Sequence, residues 1–269
     1  MESKGRNQFI RMVLLAIIIV CLIQIGRAYY LSLRHRAQQK ELEEFSETAD
    51  LAQTEEKDLQ IEEESDIEGL KQEEEAPALL ARYAALYEQN KDMVGWLAIE
   101  GTKIDYPVVR GMDNEYYLHH NFYGDEDKYG CLFVKDIADV DTPGANFVIY
   151  GHNMKDGAMF GELDFYQQKD FWKEHPFISF DTLYEERSYE IIAVFFSQVY
   201  EKEENIFKYY DFYEAETQEE FVTYYENIKK LSLYDTGVEA SYGDTFLTLS
   251  TCAYHVDDGR FVVVAKRLD

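Results

Sequence analysis

Between Gly95 and Leu268 short apolar runs alternate with polar turns. They are Gly95–Ile99, Ile104–Val109, Gly130–Val134, Phe147–Tyr150, Phe177–Phe180, Ser188–Gln198 and a closing pair within Thr245–Leu268. Runs of this length, rich in Val, Ile, Phe and Tyr and bounded by turn residues, predict strands. Their rhythm suits a β-barrel or sandwich better than a parallel α/β fold. One stretch breaks the rhythm. Thr217 and Glu220 make a capping box, and Phe221, Tyr224, Tyr225, Ile228 and Leu231 follow at helical spacing, which predicts a helix packed by that face. Ahead of the strands, Pro77 is a good first helical residue, with Leu79, Leu80, Tyr83, Leu86 and Tyr87 on one helical face. Asp92 then reads as the cap of a short helical turn leading to Trp96.

The amino-terminal pattern is different. Met12–Ile23 is uninterruptedly apolar and, allowing Gln24 and Arg27, extends to Leu31, close to the ~20 residues that span a hydrocarbon core. Tyr29 and Tyr30 fit an aromatic belt, and Arg27 can snorkel towards headgroups. No small-x-small cleavage site follows, so an uncleaved anchor is preferred to a signal peptide. Lys4, Arg6 and Arg11 precede the span while Arg34, Arg36 and Lys40 follow it, so basic residues do not decide its orientation. From Glu41 to Glu75 acids come in runs such as Glu62–Glu64 and Glu73–Glu75, with scattered apolar residues and no sustained heptad. That composition predicts a solvated stalk, helical in part or disordered.

The 269 residues leave room for one sizeable domain beside these segments. A net charge of −27 excludes nucleic-acid binding as a function class, since phosphate neutralisation needs Lys and Arg. Three cysteines do not make a disulfide framework. Cys21 lies in the apolar run and Cys131 in a strand where a packed thiol is expected, which leaves Cys252.

Strand side chains alternate faces with period two. Leu247 and Leu249 therefore share one face of the closing pair, and Thr248, Ser250 and Cys252 the other. The leucines suit a core, which puts Cys252 on the polar face and in a groove. It can be a nucleophile or a small packed hydrophobe. A thiol nucleophile needs a nearby base or cation. His152 is the leading partner: it follows the strand Phe147–Gly151, and Gly151 before it permits close backbone approach. An ordinary surface histidine would look the same. His255 competes by nearness in sequence. His119 and His120 are adjacent and make a poor metal pair. Arg260 opens the last run, and Asp257 and Asp258 suit a solvated turn.

These residues also resemble a family. TLSTC at Thr248–Cys252, followed eight positions after the cysteine by Arg260 and VVVAK, is similar to the active-site strand pair of a sortase, and the serine points to class B. YGHNM at Tyr150–Met154, with Lys155, Asp156, Met159, Phe160 and Gly161 after it, resembles the histidine segment of that class. So do Gly95-Trp96-Leu97 and the stretch from Gly101 through Tyr106–Val109 to Asp113-Asn114 and Tyr116–Leu118. The similarity spans roughly residues 92–266, with the motifs in the expected order.

The resemblance implies a mainly β fold: a closed eight-stranded sortase-like β-barrel with N-terminal helices, one long helix before the active-site strand, and a single N-terminal transmembrane helix. Residues 1–40 would be a cytoplasmic tail and anchor, 41–76 an acidic stalk, and 77–269 the catalytic domain, held outside the cell membrane of a Gram-positive bacterium. It implies a cysteine transpeptidase that cleaves an NPxTx-like C-terminal sorting motif after threonine. The surface protein would then pass through a thioacyl enzyme to a cell-wall amine, on the peptidoglycan cross-bridge or its lipid-linked precursor. Cys252 would be the nucleophile, His152 the acid/base, and Arg260 the support for peptide and oxyanion. Ser250, Thr251, Asn114 and Leu118 would contact substrate. No cofactor or metal is expected. A hydrolytic or pilin-polymerising enzyme, and a membrane-anchored binding module with an inert thiol, are the alternatives.

Overall fold

The β-branched and aromatic runs form eight strands in the computed structural model, which describes residues 2–61, 78–140, 144–253 and 256–268. They are β1 (Met93–Ala98), β2 (Asp105–Val109), β3 (Leu132–Val134), β4 (Asn146–Gly151), β5 (Phe177–Thr182), β6 (Ser188–Gln198), β7 (Phe246–Cys252) and β8 (Gly259–Arg267). Hydrogen bonding orders them β1-β2-β3-β4-β7-β8-β6-β5, and β5 pairs back onto β1 to close a barrel. The helices are α1 (Glu2–Ile61), α2 (Ala81–Gln89), the short α3 (Tyr116–His119) and α4 (Lys169–Glu174), and α5 (Gln218–Leu231). Neighbouring strands are antiparallel except at β2/β3 and β4/β7. A parallel pair needs a long crossover, and the one from β4 to β7 carries β5, β6 and α5.

Alternation along β7 and β8 sorts their side chains as the sequence predicts. Leu247, Leu249, Phe261 and Val263 fill the barrel interior with Phe147 and Ile149. Phe246, Val262 and Val264 face outwards and are roofed by Phe221, Tyr224 and Ile228 of α5. Burying an apolar stripe of this kind is what holds a short helix, whose own hydrogen bonds are marginal in water. The capping box forms: Glu220 N–H donates to Thr217 Oγ1, and Thr217 N–H to Glu220 Oε2. Of the predicted face, Leu231 is exposed.

Two expectations are corrected on the amino-terminal side of the barrel. The helical face read from Leu79 starts later, at Ala81, because Leu80 is extended and its N–H donates to Leu183 O. Asp92 caps no helical turn. Asn90 makes the turn, its Oδ1 accepting from Asp92 N–H, and the chain enters β1 at Met93. Pro77 lies outside the described residues. α2 is fastened to β5 by Tyr83 Oη and Arg82 Nη2, both donating to Asp181 Oδ2 at 2.7 and 2.9 Å.

The chain divides into two units, Met1–Glu44 and Phe45–Asp269. In the first, the part of α1 from Phe9 onward holds a run long and apolar enough to cross a membrane, by length and composition. The side chains of that run, among them Leu14, Ile18 and Leu22, are exposed. The helix continues through the expected stalk as far as Ile61. The acid runs beyond it, Glu62–Glu64 and Glu73–Glu75, lie outside the described residues.

Candidate active site

β4 and β7 run side by side in parallel register from Asn146↔Phe246 to Gly151↔Thr251. The offset stays constant, so the residues that follow on the two strands are His152 and Cys252. Across the other edge of β7, Cys252 lies directly opposite Arg260 of β8 in the antiparallel ladder. Neighbouring strands sit ~4.8 Å apart, and in-register residues point to the same side. Arg260 is thus the cross-strand partner of Cys252, and His152 comes one residue past the last pair of the β4/β7 ladder. All three border one groove of about 350 Å³.

Gly151 is required where the strand ends. A Cβ there would collide with Leu132 Cδ2 and the Phe160 ring, so the close approach expected of this glycine is real. His152 is held by its ring: Nε2 lies 2.8 Å from Leu118 O. A carbonyl only accepts, so Nε2 carries the hydrogen and Nδ1 is left as the nitrogen for proton exchange. Arg260 Nη1 donates to the carbonyls of Asp258 and Gly259, at 3.1 and 2.9 Å. Its charge opposes the upward pKa shift that burial imposes on Tyr150, Tyr209 and Tyr210, which places the guanidinium among those rings.

The other expected residues also border the groove, each with its own attachment. Ser250 is buried, and its Oγ lies 2.7 Å from Tyr209 Oη. Thr248, on the same face, is buried beneath Tyr224 and donates to Asn146 Oδ1. The parity reading of β7 is therefore right about the face: Ser250 borders the groove from a buried position, and Cys252, at the strand's end, is the half-buried one. Thr251 Oγ1 donates to Gly151 O at 2.7 Å and pins the two strands together. Asn114 is exposed and exchanges hydrogen bonds with Asp136. Leu118 is half-buried and contributes the carbonyl that holds His152. Asp257 and Asp258 are exposed in a turn, with Asp258 at φ 53°. His255 lies outside the described residues.

Sequence reasoning missed three lining or supporting residues. Tyr150 precedes His152 by two on β4, so period-two alternation could have found it. Its hydroxyl is buried without a hydrogen-bond partner, and its ring stacks on Phe133. Lys135, just past β3, leaves no such signal; its Nζ lies 5.6 Å from the Tyr210 ring and 5.7 Å from that of Tyr150. Asn153 Nδ2 donates to Cys252 O and to Asp164 Oδ2, both at 3.0 Å. Among the described residues, no group of three His, Cys, Asp or Glu could hold a metal ion.

A family model described as the sortase domain matches residues 97–268, the barrel with its groove. The chain belongs to the sortase family. Within that family it is of class B. Sortase B of Listeria monocytogenes is 39% identical over 188 residues, covering 67% of this chain and 72% of the relative. A Staphylococcus aureus sortase B–substrate complex superimposes with a TM-score of 0.64 at 28% identity, over 71% of this chain and 86% of that one. A sortase B complexed with triglycine gives 0.63 at 28% identity, over 70% and 86%. The activity class is accordingly that of a sortase transpeptidase.

Proposed function

We propose that Cys252 attacks the threonine carbonyl of an NPxTx-like sorting motif. The thiol proton passes to His152, and the tetrahedral oxyanion is met by the Arg260 guanidinium. Collapse breaks the peptide bond, His152 protonates the leaving amine, and the threonine is left as a thioester on Sγ. An incoming amine then gives its proton to His152, attacks the thioester and releases the thiol. A positively charged group already fixed where negative charge develops needs no reorganisation at the moment of reaction. Lys135 adds a second cation to the groove wall.

The observation that carries this reading is the register. One thiol is paired across the ladder with a guanidinium and shares its groove with an imidazole carried just past the end of the neighbouring strand. The sortase B complexed with triglycine supports a primary amine on a glycine-like end as the acceptor class. The substrate complex of the staphylococcal relative supports a sorting-signal peptide as the donor. In the cell the acceptor is a peptidoglycan cross-bridge or its lipid-linked precursor. The apolar run of α1 anchors the chain, with the amino terminus inside and residues 77–269 outside as the catalytic domain on an acidic stalk.

The test is mass spectrometry of the chain mixed with a small library of sorting peptides, without amine. A mass increase equal to the peptide up to its threonine, mapped to Cys252 and discharged by triglycine, is expected. An adduct on another residue, or none with any peptide, would overturn the assignment.

A further inference from the structure

We infer that Asn153 is a positioning residue for the Cys252–His152 pair, through the bridge its amide makes between Asp164 and the backbone carbonyl of Cys252. The inference rests on the reading that these two side chains carry the reaction. The β4/β7 ladder stops at Gly151↔Thr251, one residue short of the pair that matters. Beyond that point, past the end of β4, the Asn153 side chain does what another ladder N–H would have done, donating to Cys252 O at 3.0 Å. The same nitrogen donates to Asp164 Oδ2 at 3.0 Å. Both partners accept only, so the NH2 group must lie between them and the orientation of the amide is settled. An aspartate here would set a carboxylate against two oxygens.

The frame behind the amide is stiff. Asn153 bridges Met159, and Phe160 N–H donates to His152 O at 2.9 Å. Met159 sits at φ 54° with its N–H on Tyr106 Oη. Asp164 rides on the 3-10 helix Gly161–Gln167, seated by the buried Leu163 and Tyr166. His152 is thus gripped twice. Leu118 O fixes the ring, and the residue after it is tied to the backbone of the nucleophile itself. The bridge ends on the backbone carbonyl of Cys252 and on Asp164, not on the thiol or the imidazole. It sets the distance between the strands at the point where the thiol must exchange a proton, and small misplacements of reacting groups are costly in rate.

The experiment measures kcat, KM and Tm for the full chain with a sorting peptide and triglycine, in Asn153→Ala, Asn153→Asp, Asp164→Ala and Asp164→Asn. The expected result for Asn153→Ala is a kcat lowered on the order of 10- to 100-fold, with KM for the peptide held within about twofold and Tm nearly unchanged. Asn153→Asp should be slower still. Asp164→Ala should fall in the same direction, and Asp164→Asn, whose amide oxygen can still accept, should recover most of that loss. A normal kcat in Asn153→Ala, or a loss expressed in KM alone, would overturn the inference. If Asn153→Ala does not fold, the two Asp164 variants decide: equal kcat in both overturns it. Cys252→Ala runs alongside. Turnover surviving there sinks the underlying mechanism, whereas a dead Cys252→Ala beside a fully active Asn153→Ala sinks only the bridge.

Discussion

Cys131 and Cys252 both stand at the end of a barrel strand, one just before β3 and the other closing β7. Their surroundings differ in every respect that governs thiol chemistry. Cys131 is buried, its N–H bonded to Tyr117 O. Burial raises its pKa, and the nearby Asp127 carboxylate raises it further, so it stays protonated across the neutral range. Cys252 is half-buried and opens on a groove lined, among the described residues, by the His152 imidazole and the cations Arg260 and Lys135, with no carboxylate. The residue type is shared and each thiol borders one end of a strand, so the neighbours decide which of them can react. The two regions are also mechanically joined. Gly130, next to Cys131, packs so tightly on the carbonyls of Tyr117 and Leu118 that a Cβ would strike both, and Leu118 O is what holds His152. The inert thiol sits in the buttress of the reactive one.

Exchanging each thiol for a methyl group tests the contrast most severely. Cys252→Ala should abolish both peptide cleavage and the acyl adduct, while Cys131→Ala keeps turnover within about twofold and lowers stability by ~1 kcal/mol, a typical single-substitution cost; a denaturant titration reads the latter. Next come the flanks. His152→Ala should lose ~10²–10⁴-fold in turnover and Arg260→Ala ~10²–10³-fold, with circular dichroism unchanged; near-normal rates in either would detach that residue from the thiol. Gly130→Ala probes the buttress. Its φ of 61° and the lack of room near Leu118 O predict a kcat lower on the order of tenfold together with a modest fall in Tm. A fall in Tm with kcat intact would mean the two regions are independent. The mildest test leaves the chain unmutated. Alkylation followed by peptide mapping should modify Cys252 in the native state and reach Cys131 only after unfolding, and equal rates would erase the distinction.

Much of this architecture is readable from local pattern. Short apolar runs between turns located the strands, and the capping box at Thr217 located α5, because both signals are made by residues near in sequence. Asp92 misled for a local reason too: Asn90, two residues earlier, takes the turn and Asp92 is left to accept from Tyr117 Oη. Alternation marks the polar face of β7 but not what meets it: Tyr224 and Tyr209, distant in the chain, lie over Thr248 and Ser250. What no local pattern carries is register between strands far apart in the chain. His152 beside Cys252 follows from the parallel pairing of β4 with β7, which residue types alone leave open, and so His255 stood as a rival. The resemblance of YGHNM and TLSTC to class B sortases bridged that gap. Lys135 and the Asn153 bridge were invisible for the same reason, since their partners lie on other elements.

The parallel seam has a consequence for the order of events during synthesis. β7 and β8 are the last of the eight strands in chain order, and together they fill the gap between β4 and β6 that completes the ring. Until they do, the barrel is an open sheet whose β4 edge already presents an imidazole, and no thiol stands beside it. Contacts this distant form late in folding. The constellation of thiol, imidazole and guanidinium therefore exists only in the closed ring, where β7 lies between β4 and β8.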